Sequence, residues 1–153
     1  MFGFDKHRST LISSDLIYLL GGFPGYLAQT QAGSAAWGAI RDAYARGAVV
    51  AGSSAGAMVL CEKLYDPYLR QVIRGLGLVP GCCLVPHHDT SGRKWPADLQ
   101  KDLPGHTIIG IDEQTGMIDD GPQRKWNVYG RGVVTIYRQH STRQYKPGTP
   151  FEL

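Results

Sequence analysis

The chain reads as an α/β fold, a parallel sheet flanked by helices, with an antiparallel β meander appended at its C-terminal end. Three observations lead there. From Leu16 to Pro86, short apolar runs rich in branched residues alternate with helical patterns, as they do where parallel strands are joined by helical crossovers. From Thr107 onward the runs become brief and are separated by Gly, Asp and Pro turns, the pattern of strands joined directly to one another. The chain has 153 residues and no linker-like stretch, which suits one domain, residues 1–153, around a single core.

The first strand is "LIYLL", Leu16 to Leu20, and it empties into "GGFPGY", where glycines permit a tight turn and Pro24 can open a helix. A helix fits Ser34 to Arg46, with Ser34 as the cap, Trp37, Ile40 and Tyr44 on one face and Gly47 as the stop. The second strand, "AVVA" from Ala48 to Ala51, runs into two serines. After it "AGAMVLCEKL" (Ala55 to Leu64) and "LRQVIRGL" (Leu69 to Leu76) read as short helices, and "CCLVP" as a strand that delivers His87 and His88. In the tail, "TIIGID", "TGMID", "KWNVY" and "VVTIY" read as the strands of the meander.

Composition removes several classes of function. The net charge of +3 comes from basic residues that form no stripe interleaved with aromatics, which argues against nucleic acid. No run approaches 18 apolar residues and the opening "MFGFDKHRST" has no apolar core of signal-peptide length, so no membrane span or secretion is expected. Three cysteines, two of them adjacent at Cys82 and Cys83, point to free thiols in a reducing compartment, the cytoplasm, rather than to a disulfide framework.

The stretch "AVVAGSSAGAMVL" carries the chemistry. Gly52, Ser53, Ser54, Ala55 and Gly56 satisfy G-x-S-x-G between an expected strand and an expected helix, the context in which that motif forms a nucleophile elbow. The sharp turn needs small residues two positions either side of the nucleophile, and Gly52 and Gly56 supply them. Ser54 is the candidate nucleophile, and the amide of Ala55 falls where a developing oxyanion would lie. His87 and His88 stand on the same sheet edge, where catalytic groups meet in open α/β folds, so one of them is the expected base. A metal at Cys82, Cys83, His87 and His88 is disfavoured, because C-C-x-x-x-H-H lacks a usual zinc spacing. Asp66, Asp89, Asp112 and Glu113 compete for the orienting acid, Asp66 against the plainer reading that it caps a helix starting at Pro67.

Four segments taken in order resemble the dipeptidase E and cyanophycinase family of serine peptidases, on the class I glutamine amidotransferase-like, flavodoxin-like fold. They are "SDLIYLLGGFPGYL", "VVAGSSAGAMVL", "GLGLVPGCCLVPHHD" and "IIGIDEQTG", and the likeness runs from about Asp15 to Tyr137. The resemblance implies Ser54 as nucleophile, His87 as base because it follows the proline, and the amides of Gly22 and Ala55 as oxyanion hole. The third member usually lies between nucleophile and histidine, where Asp66 is the only aspartate and Glu62 the only glutamate, so Asp66 is expected. Hydrolysis of short peptides beside aspartate is implied, without cofactor or metal, with Arg93 placed to meet the aspartate carboxylate.

Two departures accompany the likeness. Phe23 and Pro24 stand just after the glycines, where the family usually has Asn or Gln to help hold substrate. Relatives also carry further strands and helices before the one at Leu16, so the chain is expected to be a shortened form whose continuously apolar strands are covered by a second copy in a homodimer. The alternatives are a catalytically weak or inactive amidotransferase-like binding or scaffold protein and an α/β-hydrolase esterase. The esterase is disfavoured by the short chain, and a glutaminase by Ser54 where its elbow carries Cys.

Overall fold

A computed structural model describes residues 2–120 and 125–153, with side chains described from residue 7 onward. Helix α1 (Phe2–Ser13) leads into β1 (Leu16–Leu19), followed by α2 (Pro24–Gln31), α3 (Ala35–Ala45), β2 (Val49–Gly52) and α4 (Ala55–Leu60). Then come β3 (Cys61–Asp66), β4 (Gln71–Arg74), β5 (Val79–Val85), α5 (Trp95–Asp102) and β6 (Thr107–Ile111). The tail holds β7 (Thr115–Asp119), β8 (Trp126–Gly130), β9 (Val134–Arg138), β10 (Ser141–Tyr145) and β11 (Pro150–Phe151).

Strands β1 and β2 pair in parallel, Leu16 opposite Val49 and Leu19 opposite Gly52. A six-stranded sheet runs in the order β10-β9-β6-β5-β3-β4, and β11-β8-β7 form a third sheet. Strands β3, β5 and β6 are mutually parallel; β4, β9 and β10 add antiparallel edges. The strands of the tail therefore divide between two sheets: β6 and β9 extend the main sheet, while β7 and β8 pair with each other.

Local chemistry accounts for most of these boundaries. Ser34 caps α3 by accepting the Trp37 amide at 3.0 Å, and Trp37, Ile40 and Ala43 bury against Ile17 and Leu60, so α3 covers one face of the β1–β2 pair. Helix α4 stops at Leu60 instead of reaching Leu64, because Cys61 turns extended (φ −73°, ψ 166°) and the next residues pair as a strand with β5, Lys63 opposite Cys83 after a register shift, with Cys61, Leu64 and Asp66 buried. The helix expected over Leu69 to Leu76 is instead β4, antiparallel to β3 with Leu64 opposite Ile73; the branched pair Val72–Ile73 suits a pleated surface. Two helices, α1 and α5, lie where the sequence reading placed none. Helix α5 has Pro in its first turn and buries Leu99 beside Leu103 against Cys83, Val85 and Ile108.

The main core lies where α2 and α4 meet the central strands, with Val59, Leu64, Ile109, Val128 and Val134 fully buried. The other face of the β1–β2 pair is open within the chain: Leu16, Tyr18, Leu20 and Val49 are all more than half exposed. Among the described residues no helix is long and apolar enough to cross a membrane.

Candidate functional site

Parallel strands place their carboxyl ends at one edge, and the site is assembled there from the ends of β2, β5 and β6. Ser54 sits between β2 and α4 with φ 49° and ψ −120°, a backbone state that costs on the order of 1–3 kcal/mol for a residue with a side chain. The neighbouring glycines make the turn possible. A Cβ on Gly52 would lie 2.5 Å from the Gly56 carbonyl carbon, and one on Gly56 would run into the Leu19 carbonyl, so the elbow and β1 are in backbone contact. The Gly21–Gly22 turn lies against the nucleophile, since a Cβ on Gly21 would sit 3.3 Å from Ser54 Cβ. Gly22 has φ 143°, which favours glycine. Gly22 and Ala55 line the same cleft as Ser54, with the Ala55 amide opening α4.

Past the end of β5, His87 takes φ 51°, which sends its ring toward the serine. Its Nε2 is 3.1 Å from Ser54 Oγ. Its Nδ1 lies 2.7 Å from Glu113 Oε1, beyond the end of β6, where Gln114 has φ 53°. Thr90 donates its hydroxyl to the same carboxylate oxygen at 3.4 Å, and the Glu113 amide donates to Asp89 Oδ1 at 2.9 Å. Serine, histidine and carboxylate thus form one chain of hydrogen bonds, the geometry in which a base can take the hydroxyl proton and a carboxylate can orient and stabilise the resulting imidazolium.

The carboxylate at His87 is Glu113, not Asp66. Asp66 is 4% exposed at the end of β3, with its side chain turned into the following loop, where Oδ1 accepts the amides of Tyr68 (2.9 Å) and Leu69 (3.2 Å). It packs so closely on Gly25 that a Cβ there would strike its carboxylate. Glu62 lies at the opposite end of the strands, accepting the Gly81 amide at 2.8 Å; that hydrogen bond, helped by His106, holds its carboxyl below the usual range. Arg93 is exposed on the loop after His87 and is not among the residues that line the cleft.

His88 points away from the cleft into a second pair. Its Nδ1 is 3.0 Å from Asp112 Oδ1 and its Nε2 is 2.8 Å from the Tyr137 hydroxyl, while Asp112 Oδ2 accepts the Val133 amide at 2.9 Å. Burial and the nearby Asp112 carboxylate push the Tyr137 phenol up. The His88 amide also donates to the Ile111 carbonyl at 3.0 Å. The dipeptides 87–88 and 112–113 are therefore joined by two adjacent rungs, one facing the serine and one facing the core.

The cleft has a volume of about 350 Å³ and is lined by Gly22, Pro24, Met58, Pro67, Tyr68, Pro86, Ser91 and Trp95 around Ser54, Ala55 and His87. Tyr68, Ser91 and Trp95 were not singled out in the sequence, and no local motif marks them. The cysteines offer no competing nucleophile: all three are buried, and burial raises Cys61 well above its ordinary value, Cys82 to about 11 and Cys83 to about 12. Among the described residues no group of three or more His, Cys, Asp and Glu side chains is placed to hold a metal ion.

No curated protein matches the chain. The crystal structure of a peptidase from an acI-B1 Actinobacterium is similar to it, with a TM-score of 0.87 and 29% sequence identity, over 97% of this chain and 64% of that one. The chain thus spans less than two thirds of that peptidase's length. The model of peptidase family S51 matches residues 5–123, a span that includes the elbow, both histidines and Glu113. The chain belongs to peptidase family S51.

Proposed function

We propose that the protein is a serine peptidase that hydrolyses short peptides through Ser54, His87 and Glu113. The observation that carries this reading is the continuous hydrogen-bonded chain from Ser54 Oγ through both His87 nitrogens to Glu113, at 3.1 and 2.7 Å. His87 accepts the hydroxyl proton as Ser54 Oγ attacks the scissile carbonyl carbon, and Glu113 stabilises the imidazolium. The amides of Gly22 and Ala55 receive the oxyanion. The C–N bond then breaks, the amine leaves with the proton from His87, and water activated by the same imidazole releases the acid product from Ser54. No step calls for a cofactor.

The small cleft supports short substrates, because about 350 Å³ lies at the low end of ligand-site volumes. Cleavage beside aspartate, which the likeness to dipeptidase E and cyanophycinase implies, requires a cation for the carboxylate, and the residue proposed for it, Arg93, stands outside the cleft lining. A fluorophosphonate tests the catalytic reading. An adduct on Ser54, lost in His87→Ala, is expected; an adduct on Ser53, or none on the folded protein, refutes it and favours the binding or scaffold alternative.

A further inference from the structure

We infer, on the basis of that peptidase reading, that the cleft selects a neutral apolar side chain beside the scissile bond, aromatic foremost, and disfavours a carboxylate. The walls are Pro24, Met58, Pro67, Tyr68, Pro86 and Trp95, and among the described residues the lining includes no lysine or arginine. His87 cannot serve as the counter-ion, because it must be neutral to take the Ser54 proton.

No cation of the described lining offsets the acids that stand around the cleft. Glu113 sits on the base, Asp89 on the Glu113 amide, and Asp66 under the turn that presents Pro67 and Tyr68. The cations on the same loops, Arg70, Arg93 and Lys94, are exposed and outside the described lining. A carboxylate entering such a site gives up its hydration without a partner, a penalty that grows as water is excluded.

The same walls are suited to a ring. Trp95 is fixed by an edge-on contact with Tyr65, ring centroids 5.0 Å apart, and Tyr68 is tilted against Phe23 at 4.8 Å. Phe23 is 62% exposed and Tyr68 65%, so the Tyr68 ring of the lining and the Phe23 ring against it both stand largely open to solvent. Phe23 stands directly after the Gly21–Gly22 turn that lies against Ser54. Aromatic side chains gain both from burying large area and from offset or edge contacts with other rings.

The experiment compares two aminoalkyl diphenyl phosphonates, one with a benzyl and one with a carboxymethyl side chain, by the rate at which each labels Ser54 in the full chain. Such reagents report selection at the acylation step without needing turnover. The benzyl reagent is expected to react on the order of 100-fold faster, and Tyr68→Ala to narrow that ratio by about tenfold or more. Faster labelling by the carboxymethyl reagent, or a tenfold loss of that labelling in Arg93→Ala, overturns the inference and leaves the peptidase reading standing. Failure of both reagents together with the plain fluorophosphonate overturns the peptidase reading, and the inference falls with it.

Discussion

Exchanging the two carboxylates that the sequence and the structure assign to the same task separates their roles. Glu113→Gln removes the charge opposite His87 Nδ1, now 2.7 Å away, without removing bulk. Two unit charges about 4 Å apart interact by about 1 kcal/mol in water and about 4 kcal/mol at an effective dielectric of 20. The Glu113 side chain is 48% exposed, so the loss falls between these limits, and at 1.36 kcal/mol per decade it lowers kcat roughly 5- to 1,000-fold, with the melting temperature nearly unchanged. Asp66→Ala does the reverse. It leaves the amides of Tyr68 and Leu69 without their acceptor, a loss comparable to that of a helix cap, about 1–2 kcal/mol, or roughly 2–8 °C in a domain of this size. Because Tyr68 lines the cleft, KM should rise while kcat holds. Steady-state hydrolysis of a peptide anilide and thermal melts of both variants read all four quantities. A collapse of kcat in Asp66→Ala at unchanged melting temperature, with Glu113→Gln active, would refute the assignment.

Three further outcomes are expected. Tyr137→Phe and Asp112→Asn weaken the rung behind the site and should reduce kcat by about tenfold while leaving phosphonate labelling specific to Ser54; wild-type kcat in both variants would show that the rung does not position His87. Cys82 and Cys83 hold their protons to about 11 and 12 in the folded chain, above the unfolded value. Their stabilising contribution is therefore complete below the ordinary thiol range and is lost as pH rises from that range through the folded values, at up to about 1.4 kcal/mol per pH unit for each thiol. Denaturant melts between pH 9 and pH 11 should show a shallower fall for Cys83→Ala than for the wild type, and equal slopes would contradict this. Finally, the open apolar face at Leu16, Tyr18, Leu20 and Val49 is expected to pair with a second copy: light scattering should give a dimer for the wild type and a monomer for Tyr18→Glu, whereas a wild-type monomer that binds no hydrophobic dye defeats the expectation.

The elbow was legible because its constraint is local. Two glycines flanking Ser54 report a backbone approach that no other residue permits, and β1, α3 and its Ser34 cap follow from patterns contained in a few residues. The hairpin of β3 and β4 was not legible, since "CEKLYD" and "QVIR" are short enough for helical and strand periods to compete, and pairing between them decides the matter. The choice among the four candidate acids, Glu113 included, went to Asp66 for a different reason. Glu113 lies 26 residues from His87 and meets it only because β6 runs parallel beside β5, with Val85 opposite Gly110. Strand adjacency is a property of the sheet, so a search between Ser54 and His87 along the chain could not reach it. Asp66 does stand on the correct edge of the sheet, and two turn amides claim its side chain.

The two rungs between residues 87–88 and 112–113 act as a phase lock on loop length. Because consecutive residues in one loop meet consecutive residues in the other, inserting or deleting one residue would exchange partners, offering the core-facing Asp112 to the histidine meant for the serine or leaving an imidazole buried against Gly110, where the His88 ring already fills the space a Cβ would take. The two loops can therefore change length only in concert. In a library of loop variants, single-residue insertions confined to one side should be depleted among active clones.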